Sequence, residues 1–124
     1  MIKCEGWFKS YPVGQRMYPV LKGLEFEIDT GEFVALMGRS GSGKTTVLNI
    51  LGLLDHLSAG TYWLAGQAMM GHSSRALAAF RNTFIGFVFQ HFFLLPRLNI
   101  LDNICLPLQY YAGDRDQAYA HCLQ

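Results

Sequence analysis

Gly38-Arg39-Ser40-Gly41-Ser42-Gly43-Lys44-Thr45 is the stretch of this chain that decides its fold. The spacing, a glycine, four further residues and then Gly-Lys-Thr, is typical of loops that bind the phosphates of nucleotides. Glycines favour this function because they adopt positive φ angles and let successive backbone N–H groups converge on phosphate oxygens. A helix that begins near Lys44 would direct its free N–H groups and its positive dipole end at the same anion.

The side chains of the loop supply the rest of the predicted chemistry. Lys44 is expected to bridge the β- and γ-phosphates, and the Thr45 hydroxyl is expected to ligate Mg²⁺. Thr46 would add a donor to the α-phosphate. A glycine-rich turn with an incidental lysine is the alternative, but the pattern lies between an apolar run and an apolar helix, as its mechanism requires. The loop residues predicted to bind the nucleotide are Gly38, Arg39, Ser40, Gly41, Ser42, Gly43, Lys44, Thr45 and Thr46.

The segments around the loop predict strands that alternate with helices. Residues 24–29 alternate apolar and acidic side chains, which indicates a half-exposed strand. Residues 33–37 and 84–89 are short apolar runs, typical of strands buried on both faces of a parallel sheet. Residues 45–54 predict a buried helix, with Val47, Leu48, Ile50, Leu51 and Leu54 as its apolar residues. Residues 61–64 predict another strand. This order indicates an α/β fold that contains at least part of a parallel sheet.

Capping signals predict two later helices. Ser73 is a candidate N-cap for a helix over about residues 74–82. Beyond the proline at position 96, either Asn99 or Asp102 is expected to cap another helix. Residues 114–124 resemble the opening of a further helix.

Composition excludes several classes of protein. The chain has 124 residues, of which 51% are hydrophobic and 15% charged, and these proportions exclude a disordered chain. A net charge of +1 gives no reason to expect nucleic acid as a partner. The three cysteines have no Cys-x-x-Cys spacing, which disfavours a disulfide scaffold or a zinc site and is compatible with a reducing cytoplasm. The uncharged stretch over residues 82–96 is too short to span a bilayer, and we expect no signal peptide.

Sequence on both sides of the loop resembles the nucleotide-binding subunits of ABC transporters. The likeness covers about residues 3–112 and points to the branch that serves lipoprotein-release and macrolide-export complexes. The segments that carry it are Lys9-Ser10-Tyr11, Val20-Leu21-Lys22-Gly23-Leu24, Gly31-Glu32-Phe33-Val34-Ala35-Leu36, residues 48–55, Ile85-Gly86-Phe87-Val88-Phe89-Gln90 and Leu94-Leu95-Pro96-Arg97-Leu98.

The resemblance implies a P-loop NTPase fold of the ABC type, with antiparallel β-strands beside the first part of a parallel core sheet. It implies ATP and Mg²⁺ as ligands, a transmembrane permease as partner, and a second nucleotide-binding domain that forms a dimer in the intact protein. It also implies a cytoplasmic location, peripheral on the cytoplasmic face of the inner membrane, and no nucleic-acid partner. The transported substrate is not specified by these residues, because selectivity lies in the permease.

Two further site residues follow from the resemblance. Tyr11 matches the aromatic residue of the family that stacks on adenine. Tyr18 is a rival for this role, and an ordinary strand-end tyrosine is the alternative. Gln90 matches the glutamine that contacts Mg²⁺ and the attacking water, although a polar strand terminus is the alternative. The predicted catalytic residues are therefore Lys44 and Gln90, and the predicted metal ligands are Thr45 and Gln90.

Two features of the sequence leave alternatives open. Arg39 stands where this branch usually carries proline, which adds a cation beside the phosphates, and its contact with the nucleotide is left open. The apolar residues 92–95 either form a docking patch for the permease, as the resemblance implies, or are buried inside the domain.

The chain lacks three motifs that the family uses for hydrolysis. It contains no Leu-Ser-Gly-Gly-Gln signature, no apolar strand that ends in Asp-Glu and no switch histidine after it, so the general base is absent. Because phosphoryl transfer depends on positioning and electrostatic stabilisation, we expect the chain alone to be catalytically incompetent. We expect residues 1–124 to be the N-terminal portion of one nucleotide-binding domain. The alternatives are a non-hydrolysing nucleotide-binding fragment, a truncated gene product and, outside the family, a small-molecule kinase.

Overall fold

The computed structural model describes residues 1–90, 93–106 and 120, and the chain divides into two compact units, Met1–Leu77 and Ala78–Gln124. The first unit is built on a four-stranded sheet. Its strands are β1 (Ile2–Val13), β2 (Arg16–Ile28), β3 (Ala59–Leu64) and β4 (Gln67–Ala68). The helices are α1 (Lys44–Leu51), α2 (Ser74–Phe84), which begins in the first unit and ends in the second, and α3 (Ile100–Cys105).

Every strand pair in the described residues is antiparallel, and the strand order is β2-β1-β3-β4. β1 and β2 form a long hairpin that closes at the pair Val13 and Arg16. Along the second half of β2 the apolar side chains are half-buried and the acidic ones between them are exposed, which confirms the strand predicted over residues 24–29. β3 likewise confirms the strand predicted over residues 61–64.

Trp7 lies at the centre of the apolar core of the first unit. Its side chain is fully buried, and its ring meets the rings of Phe26 and Tyr62 edge to face, with centroids 5.7 and 5.2 Å away. The indole N–H donates to the Thr61 carbonyl at 2.8 Å, which satisfies its polar atom despite burial. The Tyr62 hydroxyl donates to the Leu51 carbonyl at 2.8 Å, and this bond ties the end of α1 to β3.

α1 packs on this core with one face only. Val47 and Ile50 are buried, whereas Leu48 is 56% exposed and Leu54, just past the helix, is 50% exposed. The predicted helix is confirmed, although it ends at Leu51. The prediction that Leu48 and Leu54 are buried is wrong, because Leu48 lies outside the buried face of α1 and Leu54 lies beyond the end of the helix.

Predicted capping residues start both of the later helices. The Ser73 hydroxyl accepts from the Ala76 N–H at 3.3 Å, and α2 extends past its predicted end at residue 82. Asn99 Oδ1 accepts from the Asp102 N–H at 2.8 Å, so Asn99 caps α3. The helix predicted over residues 114–124 lies outside the described residues, apart from residue 120.

The two apolar runs predicted to be parallel strands are not strands in the structure. Residues 33–37 have no regular structure, and Phe33 is 96% exposed. Within residues 84–89, Phe84 ends α2 and Val88 is fully exposed. A strand is stable only when its N–H and C=O groups pair with a neighbour, and no described strand pairs with either run. The structure therefore differs from the prediction at both runs because each lacks a pairing partner.

None of the helices in the described part of the chain is long and apolar enough to cross a membrane. The longest of them, α2, has 11 residues, about half of what a bilayer requires.

Candidate functional site

The glycine loop enters α1 through residues in the left-handed region of backbone conformation. Gly41 has a φ of +77°, and Gly43, which precedes the first turn of α1, has a φ of +93°. A Cβ atom on Gly43 would lie 3.1 Å from Cγ1 of Val20 and 3.2 Å from Cδ2 of Leu21. Both the conformation and the close packing against β2 therefore favour glycine at position 43.

The first turn of α1 leaves its backbone donors open. The Ser42 N–H bonds to the Arg39 carbonyl at 3.2 Å, and the Val47 N–H bonds to the Gly43 carbonyl at 2.9 Å. Between them, the N–H groups of residues 43–46 have no acceptor in hydrogen-bond range among the described residues, and no side chain caps the helix. Free donors at the positive end of a helix dipole form an anion-binding arrangement.

Lys44, in the first turn of α1, stabilises the glycine loop. Its ammonium group donates to the carbonyl oxygens of Gly38 and Arg39, each at 2.8 Å. An ammonium has three N–H donors, so one remains for a further acceptor. Arg39 serves the loop through its backbone carbonyl, and contact between its side chain and a nucleotide stays a prediction.

The loop and the start of α1 surround an open depression of about 550 Å³. This volume lies within the range of small-molecule sites. None of the lining residues is acidic, and the Lys44 ammonium adds a full positive charge to the helix dipole, so the depression favours an anion. The lining residues are Val20, Ser40, Gly41, Gly43, Lys44, Thr45 and Thr46.

Few residues at this depression could act as ligands of Mg²⁺. In the part of the chain that the structure describes, no three His, Cys, Asp or Glu side chains lie close enough together to hold a metal ion. Magnesium at nucleotide sites takes one or two protein ligands, because phosphate oxygens and waters complete its coordination. Thr45 lines the depression and is exposed. The residues present therefore fit Mg²⁺ that binds together with a nucleotide rather than to the protein alone.

Tyr11 lies near the end of β1, directly opposite Tyr18 of β2. Tyr11 is half-buried and its hydroxyl donates to Oδ2 of Asp55 at 2.5 Å, whereas Tyr18 is 65% exposed. Burial and the hydrogen bond to Asp55 raise the pKa of Tyr11, while the nearby Thr46 side chain acts in the opposite direction. The hydrogen bond to Asp55 thereby ties Tyr11 to the segment that follows α1.

Asp55 and Lys9 form an ion pair that no motif in the sequence indicates. The Lys9 ammonium, in a residue only 8% exposed, donates to Oδ1 of Asp55 at 2.5 Å and to the His56 carbonyl at 2.6 Å. Partial burial acts to raise the pKa of Asp55, but hydrogen bonds from Lys9, Tyr11 and the His56 N–H outweigh it and hold the pKa below its usual range. Lys9 and Tyr11 both reach Asp55, although a register shift between Lys9 and Ser10 interrupts the alternation of side chains along β1. No spacing in the sequence therefore identifies the cluster.

Gln90, the other predicted metal ligand, lies in the second unit and is exposed. Its contact with Mg²⁺ and water stays a prediction. In the same unit, the ring of Phe93 meets that of Phe89 edge to face with centroids 5.0 Å apart. Residues 93–95 are exposed, which disfavours the buried alternative for them, and Phe92 lies outside the described residues.

The chain is similar in sequence to known ATP-binding proteins. Residues 21–124 match the family model described as ABC transporter. The chain is 52% identical to the macrolide export ATP-binding/permease protein MacB of Rhodopirellula baltica over 117 residues, which are 94% of this chain and 17% of that protein. It is 45% identical to the lipoprotein-releasing system ATP-binding protein LolD of Chromohalobacter salexigens over 120 residues, which are 97% of this chain and 51% of that protein. The chain therefore spans about half or less of these relatives.

The fold is also similar to that of a solved protein. The dimeric structure of the ATP-binding cassette MJ0796, in a post-hydrolysis state bound to ADP and Pi, matches with a TM-score of 0.86 and 38% sequence identity. The match covers 99% of this chain and 56% of that one. Together, the sequence and fold similarities confirm the predicted fold class and the predicted resemblance, and they disfavour the small-molecule kinase.

Proposed function

The chain belongs to the ABC transporter family, and we propose that it is the ATP-binding part of a transporter ATPase subunit that powers a membrane permease. The observation that carries this proposal is the open first turn of α1, whose free N–H groups adjoin the depression lined by Lys44. In this role the triphosphate of ATP lies across the glycine loop, with Lys44 beside its outer phosphates.

Each remaining site residue has a proposed role. Thr45 and Gln90 are the proposed ligands of Mg²⁺, which when bound neutralises charge on the β- and γ-phosphates. The exposure of Thr45 at the loop supports its assignment, while Gln90 is supported by the family resemblance. Thr46 would donate to the α-phosphate, and Tyr11 would stack on the adenine ring.

We propose two partners for the intact subunit. The first is a permease that releases lipoproteins or exports macrolides or similar amphipathic compounds, because the relatives described above carry those roles in their names. The second is another nucleotide-binding domain, since the solved cassette is dimeric. These partners would place the subunit on the cytoplasmic face of the inner membrane.

We also propose that these 124 residues bind ATP without turning it over by themselves. The support is the absence from the sequence of the Leu-Ser-Gly-Gly-Gln signature and of an apolar strand ending in Asp-Glu. By the family resemblance, those motifs supply a contact to the γ-phosphate and the general base. Binding and turnover are therefore separate measurements on this chain.

Lys44→Ala tests the proposed ATP site. The substitution removes a cation and the two bonds that hold the carbonyls of Gly38 and Arg39, so we expect MgATP affinity to fall at least about tenfold in isothermal titration calorimetry. Arg75→Ala is the control, because Arg75 is an exposed cation at the start of α2 and does not line the depression. Equal affinities of the wild type and Lys44→Ala would exclude the glycine loop from the site.

A further inference from the structure

One carboxylate connects the predicted base-stacking tyrosine to the helix that follows the glycine loop. The side chain of Asp55 accepts from the Tyr11 hydroxyl of β1 at 2.5 Å. The backbone N–H groups of Leu54 and Asp55 bond to the Asn49 carbonyl, within α1, at 2.8 and 3.2 Å. Asp55 is thus anchored to α1 through its backbone and to β1 through its side chain. Since α1 begins at Lys44, this connection sets the position of the tyrosine relative to the loop.

Lys9 determines which face of the tyrosine is available for stacking. Its ammonium lies 4.7 Å from the centroid of the Tyr11 ring. The ammonium is held there by Asp55 Oδ1 at 2.5 Å and by the His56 carbonyl at 2.6 Å. A ring that carries a cation on one face can stack on a flat ligand only through the other face.

We propose that Asp55 is a positioning residue that holds Tyr11 and Lys9 where the base of a bound nucleotide stacks on the Tyr11 ring. The inference rests on the proposed function, because it requires a nucleotide whose phosphates occupy the glycine loop. Asp55 acts through Tyr11 rather than on the ligand, since its oxygens are bonded to Tyr11, Lys9 and the His56 N–H. The ligand class is a nucleoside triphosphate, distinguished from bare polyphosphate by its aromatic base.

Paired binding measurements on the full chain separate positioning from fold stability. Magnesium tripolyphosphate reaches the loop without a base, so its binding reports an intact loop and nothing of Tyr11. We expect Asp55→Ala to weaken MgATP about fivefold and to leave tripolyphosphate within about twofold of wild type. Tyr11→Phe, which keeps the ring and loses the hydroxyl bond, should give a smaller loss for MgATP alone. Glu25→Ala removes an exposed carboxylate from β2 and is the matched control, with both affinities unchanged.

A double variant tests whether Asp55 acts through the tyrosine. In the Tyr11→Ala background no ring remains to be positioned, so adding Asp55→Ala should leave MgATP affinity within about twofold. Additive losses would overturn the proposal, and so would equal losses of MgATP and tripolyphosphate in Asp55→Ala, which indicate damage to the fold. A wild-type chain that binds both ligands equally well would overturn the positioning role and leave the phosphate site intact. A wild-type chain that binds neither would overturn the proposed function itself.

Discussion

Tyr11 and Tyr18 are partners across the hairpin of β1 and β2, yet their surroundings differ. Tyr11 is fixed by a hydrogen bond to Asp55 and by the ammonium of Lys9, whereas Tyr18 is 65% exposed. A side chain that is already fixed loses little rotamer freedom when a ligand stacks on it, and an exposed one loses more. At the scale of single residues, the structure therefore favours Tyr11 as the stacking ring.

Tyr11→Ala is expected to weaken MgATP binding by about 1–2 kcal/mol, because an aromatic stacking contact and its buried area are lost. Tyr18→Ala should change it by less than about 0.5 kcal/mol. Competition with a fluorescent ATP analogue measures both. A loss in Tyr18→Ala together with wild-type binding in Tyr11→Ala would assign the base contact to Tyr18.

At the scale of elements, the start of α1 depends on a glycine under two constraints. Gly43 has a φ of +93°, and a Cβ atom there would lie 3.1 Å from Val20 and 3.2 Å from Leu21. Gly66 has a φ of +79°, and a Cβ atom there would have no neighbour within 4 Å. Alanine in this region costs about 1–2 kcal/mol at either site. We expect Gly43→Ala to lower the free energy of unfolding in urea by about 1 kcal/mol more than Gly66→Ala, since the side chains of Val20 and Leu21 must also give way. Equal losses would show that the contact with β2 is easily relieved.

Helix starts and the glycine loop could be predicted from sequence because their determinants are local. The caps at Ser73 and Asn99 each bond to an N–H three residues further along, and the loop is one contiguous segment. The strand β1 could not be predicted, because register shifts at three places in its pairing with β2 interrupt the alternation of side chains. Residues 33–37 could not be judged locally either, since a strand depends on a partner elsewhere in the chain.

The residues of the candidate site likewise divide into those that the sequence predicts and those that it does not. The sequence predicts Lys44, Thr45 and the glycines around them, because the spacing of these residues is what allows the loop to bind phosphates. The role of Asp55 could not be predicted, because its bond to Tyr11 joins residues 44 positions apart and no short pattern indicates that pairing. Only the contact of β1 with the segment that follows α1 brings those two side chains together.

For the molecule as a whole, exposed apolar side chains are the feature with the clearest consequence in solution. Phe33 is 96% exposed and Val88 fully exposed, in runs whose backbones pair with no described strand. Such segments are templates for association. We therefore expect the isolated chain to self-associate in a concentration-dependent way in sedimentation velocity experiments.

The double substitution Phe33→Ser and Val88→Ser should raise the monomer fraction, because it removes apolar area that is not buried in the fold. Met17→Ser is the control, since Met17 is 62% exposed on the hairpin and lies outside both runs. A wild-type chain that stays monomeric at all concentrations and melts in one sharp transition would contradict this expectation.

The two bonds from Lys44 to the carbonyls of Gly38 and Arg39 bear on how fast the loop works as well as on how tightly it binds. Because the carbonyls of Gly38 and Arg39 are already bonded to the Lys44 ammonium, the loop does not have to change conformation before a polyphosphate binds. The association rate is then set by diffusional encounter. Differences in affinity between nucleotides therefore appear in their dissociation rates. The residence time of a nucleotide would then reflect how long the third N–H donor of Lys44 stays bonded to a phosphate oxygen.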